Sequence, residues 1–290
     1  MEDSKTREVQ DTFYTNNIDI NIGSNHPSKY DWIPLTFLNL VMQTAFIPNT
    51  RILSTLLISH AGLGKTTKLE FLRQFEFIKY TLDITPKHIA DFLDDVESGR
   101  AKFLVIPDYI ATLGHSKKTT ELARAIFRGM IEEGITSVDI FGMERHYKTK
   151  VKAGLISGIT PEYFAENSRV WKSDGFLSRF LPFSYSHSNQ TRLKIIDNIR
   201  DKVDTINSFT MKIKTKDVVE PIRTNDIDNM IRLITFGLIE PKEPPYRMYQ
   251  QIIALCNASA VLRDSKEVEK IDIELVTMLS NYINRGLSSI

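Results

Sequence analysis

From residue 32 the chain turns from polar to apolar, and the spacing of its apolar positions predicts most of its elements. Residues 32–47 (WIPLTFLNLVMQTAFI) are the longest apolar region, interrupted by Pro34, Thr36, Asn39, Gln43 and Thr44. The region is shorter than the roughly 20 residues a membrane span needs and reads as a buried helix. Residues 51–59 (RILSTLLIS) read as a buried strand. Leu69, Leu72 and Phe75 recur at helical spacing within 66–75, and a short strand follows at 77–84. Pro86 opens a helix with Ile89, Phe92, Leu93 and Val96 on one face, ending near Gly99. Residues 103–106 form a continuous apolar strand, and Leu122, Ile126 and Met130 set the register of a helix at 119–133. Two strand-like runs, 135–141 and 147–158, flank residues 142–146 as a β-hairpin.

After residue 184 the pattern changes. Helical periods dominate at 190–205, 225–237, 246–263 and 272–285, with one short strand candidate at 209–213 and punctuation by Pro241, Pro244 and Pro245. Strands alternating with helices up to that point argue for an α/β domain with a mainly parallel sheet. The expected organisation is an N-terminal tail at 1–30, an α/β domain at 31–187 and a mainly helical domain at 188–290.

Composition narrows the classes. With 42% hydrophobic and 25% charged residues the chain is neither largely disordered nor a coiled coil. Lys and Arg number 37 and Asp and Glu 36, a net charge of +1, so any nucleic-acid contact has to come from local clusters. One cysteine, Cys256, excludes a disulfide framework within the chain and a Cys-rich zinc site. The polar start lacks the apolar core of a secretory signal. The expectation is a cytoplasmic protein with no membrane partner.

The strongest chemical signal is Ser59-His60-Ala61-Gly62-Leu63-Gly64-Lys65-Thr66-Thr67, between a buried strand and a helix. That is the context a phosphate-binding loop requires. Gly62 and Gly64 let the backbone approach phosphate oxygens with no Cβ in the way. Lys65 would reach the β- and γ-phosphates of ATP and Thr66 would ligate Mg²⁺. Ser59 stands where such loops usually begin with Gly. His60 reads as a spacer.

A second strand, 103–106, runs into Pro107-Asp108-Tyr109. An acid at a strand's carboxyl end is placed to coordinate Mg²⁺. Hydrolytic sites usually add a Glu beside that Asp to orient water, and none follows here. Either Asp108 is the metal ligand and the base is missing, or Asp108 holds the base position and Pro107 replaces the metal acid; the first alignment is preferred. Glu132 and Glu133 are weaker candidates for a base.

Further segments carry a resemblance. Residues 134–161 (GITSVDIFGMERHYKTKVKAGLISGITP), 175–183 (GFLSRFLPF) and 246–272 (YRMYQQIIALCNASAVLRDSKEVEKID) resemble, in order, the presensor hairpin, the Ser-Arg-Phe segment and the helical lid of minichromosome maintenance helicases and related AAA+ ATPases, the MoxR group included. The resemblance spans about residues 50–285. It implies a P-loop NTPase fold with a C-terminal lid, and a homo-oligomer in a ring or partial ring. It places Thr160 at the polar sensor position, Arg179 as an arginine finger acting on a neighbouring subunit, and Arg247 as the lid's sensor arginine. An arginine suits both roles because its planar fork bonds phosphate oxygens bidentately. Arg179 is expected at the far end of the sheet from its own loop. The helicases' N-terminal collar, extra hairpin and winged helix are not expected, so the chain reads as a pared-down ATPase core.

Within residues 135–158, Arg145, His146, Lys148, Lys150 and Lys152 are closely spaced. In a strand Lys148, Lys150 and Lys152 share one face and Tyr147, Thr149 and Val151 the other. Such a row suits DNA or RNA phosphates without reading sequence, or it guards a strand edge against aggregation. The expected function is an ATPase acting as an oligomeric motor or switch on nucleic acid, as a replication helicase or translocase does. The alternatives are a MoxR-type protein-remodelling chaperone and an ATP-binding assembly module with weak turnover.

Overall fold

The computed structural model describes residues 21–22, 32–82, 84–109, 117–140, 143–187, 189–200, 209–241 and 243–283. In chain order the elements are β1 (Asn21–Ile22), α1 (Trp32–Gln43), β2 (Thr55–Ile58), α2 (Lys65–Phe71), β3 (Ile78–Tyr80), α3 (Pro86–Glu97), β4 (Phe103–Ile106) and α4 (Lys117–Ile131). There follow β5 (Ile135–Ile140), β6 (Met143–Val151), β7 (Gly154–Ile159), α5 (Pro161–Ser173), β8 (Leu181–Ser184), α6 (Asn189–Arg200), β9 (Phe209–Thr210), α7 (Asn225–Leu238), α8 (Tyr246–Leu262) and α9 (Lys270–Ser280). Among the described residues no helix is long and apolar enough to cross a membrane.

The protein is α/β with a five-stranded, wholly parallel central sheet in the order β3-β4-β7-β2-β8. The steps from β3 to β4, β4 to β7 and β7 to β8 all go one way, whereas the step from β2 to β3 goes back. Right-handed crossovers therefore put α3, α4 and α5 on one face and α2 on the other. The buried cluster agrees: it joins Ile89 and Phe92 of α3, Phe127 and Met130 of α4, and Phe164 and Trp171 of α5, with nothing from α2. Chain directions diverge between β7 and β2, the kind of place where open α/β sheets bind ligands at their carboxyl ends.

The expected second hairpin strand at 147–158 is two strands. β6 begins at Met143 and pairs antiparallel with β5; after Lys152 and Ala153 the chain enters the central sheet as β7. Both pieces suit an extended backbone, so periodicity alone could not divide them. Phe141 of the first expected run, Gly142 of the expected turn, and residues 201–205 and 284–285 of two expected helices, lie outside the described residues. The tail expected at 1–30 is described only at Asn21–Ile22, which pair with Phe209–Thr210.

Two compact units divide the chain: Ile52–Ser186 with Ile283–Ile290, and Met1–Arg51 with His187–Tyr282. The helix Trp32–Gln43, expected in the α/β domain, thus groups with the helical unit. Polar contacts of the helix and of the residues that follow it accompany this grouping. Gln43 exchanges hydrogen bonds with the Lys214 backbone at 2.9 and 2.8 Å, and Asn257 donates to Thr50 Oγ1 at 3.1 Å. In the same unit α8 is buried along most of its length, and fully buried Asp272 caps α9 and binds Arg263 at 2.7 Å. Cys256, also fully buried, is a core residue whose thiol pKa is raised by burial.

Candidate functional site

Three neighbouring strands, β4, β7 and β2, deliver the groups nominated by the sequence to one end of the sheet. The loop leaves β2 at Ser59, Asp108 follows β4, and Thr160 follows β7. Register places the ends side by side: Ile58 is level with Ile159, and Ile106 with Ser157. The Ser157 hydroxyl donates to the Ile106 carbonyl at 2.7 Å, bracing β7 against β4 just before Asp108.

The loop has the backbone its sequence demands. Gly62 and Gly64 take φ of 80° and 72°, in the left-handed region where a side chain is strained. Ala61, Gly62, Thr66 and Thr67 are exposed, Leu63, Gly64 and Lys65 half-buried, and Ser59 buried. The Lys65 ammonium donates to the Ser59 carbonyl and, at 3.1 Å, to the His60 carbonyl. Burial lowers its pKa, opposed by the charges of Asp108 and Glu162. A partly desolvated cation held by neutral oxygens suits a polyphosphate, which would replace weak partners with charged ones. Lys68 braces the loop from beneath, donating to the Leu63 carbonyl at 3.2 Å with its ammonium 5.0 Å from the Tyr185 ring centre.

Gly158 sets how closely the parts sit. A Cβ there would lie 2.4 Å from the Pro107 carbonyl oxygen and 3.3 Å from Leu69 of α2. Asp108 itself is exposed. Thr66 and Asp108 would hold Mg²⁺ together with phosphate oxygens and water, the usual way this ion is bound; among the described residues no group of three or more His, Cys, Asp or Glu side chains could hold a metal.

Tyr109 is 1% exposed. Its ring packs edge-on against Trp171 at 5.5 Å and lies 6.0 Å from Phe176, and burial raises its phenol pKa. The residue after Asp108 therefore belongs to the core. Thr160 caps α5, accepting from the Tyr163 amide at 3.5 Å. Glu162, in the first turn of α5, is a site residue that the sequence does not nominate. Its Oε1 lies 3.1 Å from His60 Nδ1, joining α5 to the loop. Its own backbone amide, aided by His60 and Thr160, lowers its pKa. The only local signal is a Glu in a helix's first turn, too common to single out.

Arg179 lies before β8, at the opposite end of the sheet from the loop. Its side chain is 11% exposed and bonds Glu132 at 2.9 Å, Glu133 at 3.3 Å and the Gly175 carbonyl at 2.5 Å. Arg124 and Arg128 of α4, which ends at Ile131 just before Glu132, bind Asp174 at 3.3 Å to its carboxylate and 2.7 Å to its carbonyl. The Ser-Arg-Phe segment is thus stitched by alternating charges to α4 and to the two acids that follow it, so Glu132 and Glu133 are engaged there rather than near the loop. Arg247 opens α8 in the helical unit and is half-buried.

On the hairpin, Lys148, Lys150 and Lys152 are exposed while Tyr147 and Val151 are buried, the alternation expected of a strand; Thr149 is exposed. Arg145 differs from the lysines, pairing with Asp94 of α3 at 3.5 Å. Burial and the Asp94 charge push the Tyr147 phenol up to about 12. The Lys148 amide donates to Glu97 at 2.6 Å, so β6 lies along α3. Comparison with protein-family models gives no match, and comparison with curated proteins gives none either.

Proposed function

We propose that the chain is an ATP-binding, AAA+-like P-loop ATPase whose loop, Ser59 to Thr67, holds the phosphates while Asp108 and Thr66 hold Mg²⁺. One observation carries the reading: three adjacent strands bring the glycine-bent loop with Lys65, the exposed Asp108 and the polar Thr160 to the same end of a parallel sheet. The roles follow from charge. Lys65 would meet the β- and γ-phosphates, Thr66 and Asp108 would hold Mg²⁺, whose charge would offset that of the phosphates, and Thr160 is the polar group at the end of the strand between theirs. The sequence resemblance extends this to a motor or switch on DNA or RNA, supported by the exposed Lys148, Lys150 and Lys152. The helical unit with Arg247 is the lid of that reading.

The test is titration of the full chain with a fluorescent ATP analogue and Mg²⁺. Saturable binding that Lys65→Ala removes supports the proposal; equal binding by a folded Lys65→Ala chain rejects it. Nucleic-acid affinity that falls with salt, and falls further when the three lysines become Gln, supports the motor. A finger acting between subunits predicts that mixing Lys65→Ala with Arg179→Ala chains restores activity that neither has alone. A second reading, an ATP-binding assembly module with weak turnover, is favoured by one observation: Tyr109 fills the core where a catalytic Glu would follow Asp108.

A further inference from the structure

We infer that Glu162 is the general base of this site, held by His60 on the first turn of α5, just past the end of β7, and serving the terminal phosphate. The inference rests on the nucleotide reading above and deepens it by assigning the proton acceptor that position 109 cannot supply. Tyr109 is packed between Trp171 and Phe176, and with Asp108 assigned to the metal the carboxylate is sought at another strand end. β7 lies between β2 and β4, and Glu162 is the first acidic residue past its end.

Three observations place the carboxylate. Its side chain is 66% exposed and its Oε1 is 3.1 Å from Nδ1 of His60, a residue of the loop itself. The turn that carries it is fixed by Thr160, whose hydroxyl accepts from the Tyr163 amide at 3.5 Å. Its charge acts on Lys65, as that of Asp108 does, so all three groups share one electrostatic neighbourhood. Glu132 and Glu133 are held by Arg179 at the other end of the sheet.

The step balances with water alone. The water oxygen bonds to the γ-phosphorus, and the bond from that phosphorus to the β–γ bridging oxygen breaks. ADP leaves with the electron pair, and the water proton passes to Glu162 and then to solvent. General-base assistance of this kind is worth about 10²–10⁴ in rate.

The experiment measures binding and turnover separately on the full chain, with and without a single-stranded DNA oligonucleotide. A fluorescent ATP analogue reports binding and released phosphate reports turnover. Glu162→Gln should bind as the parent does and lose at least about 10²-fold in phosphate release. Glu162→Asp should fall between, and Glu166→Gln, one turn further along α5 and exposed, should match the parent. A Glu162→Gln chain that turns over at the parental rate overturns the assignment. So does a parent that binds the analogue and releases no phosphate, which would leave the nucleotide reading standing. A parent that does not bind the analogue overturns the nucleotide reading itself and this inference with it.

Discussion

The two ends of the central sheet treat their principal cations in opposite ways. At the carboxyl end, Lys65 is half-buried and donates to the carbonyls of its own loop. At the amino end, Arg179 is more deeply covered and meets two carboxylates and a carbonyl, although its Nε is buried without a hydrogen bond. Neutral oxygens leave a cation's charge available to an incoming anion, whereas carboxylates have already neutralised it. The same sheet thus presents one end that can gain from binding phosphate and one already closed by its own ion network. For Arg179 to serve a neighbouring subunit, that network has to open first, and breaking a buried pair is costly.

This contrast can be broken or sharpened by substitution, the largest effect first. Tyr109→Glu would place an unpaired carboxylate among Trp171 and Phe176 and cost about 3–5 kcal/mol in denaturant unfolding. Unchanged stability would mean that position 109 can reach solvent and that the loop end is open beneath. Lys65→Ala should weaken ATP analogue binding by about 10²-fold, the scale of a lost hydrogen bond to a charged group, with little change in melting temperature. Arg179→Ala should show the reverse, losing about 2 kcal/mol of stability, below the full buried-pair figure because Glu133 is largely exposed. If Arg179→Ala instead melts like the parent and loses only turnover, the amino end is a site and not a clasp. Replacing Lys148, Lys150 and Lys152 with Gln should shift stability by less than about 0.5 kcal/mol. It should also lower the salt slope of DNA binding by up to about 3.

Much of the sheet was legible because its strands are short, apolar and bounded by turn residues. Phe103–Ile106 falls where the apolar run predicted, and the helix opened by Pro86 ends within two residues of Gly99. The loop was legible because its glycines and lysine, set between a strand and a helix, combine backbone freedom with a cation at one turn. What stayed hidden depended on pairing across the chain. The run 147–158 gave no sign that it serves two sheets, because an alternating strand and a fully buried one follow each other with only two residues between. Helix Trp32–Gln43 is buried on nearly every side, so its apolar pattern could not say which unit it joins. Arg179 could be read as a finger from its neighbours in sequence, but its carboxylate partners stand just past α4, some way back along the chain. The His60–Glu162 contact was equally invisible, since neither residue is unusual until the strand order brings them together.

Gly158 has a consequence for how tolerance to mutation would distribute over the protein. Its missing side chain works as a spacer of zero thickness, since the place a Cβ would take is crowded by both the carbonyl before Asp108 and Leu69 of the loop's helix. Even alanine would wedge these two apart and shift Asp108 relative to Lys65 with no change to either side chain. In a saturation scan scored by nucleotide-dependent activity, position 158 should therefore be as intolerant as the loop glycines while binding nothing itself. Its intolerance would be one of shape: alanine would do nearly as much harm as larger residues, and no second change elsewhere on β7 would relieve it.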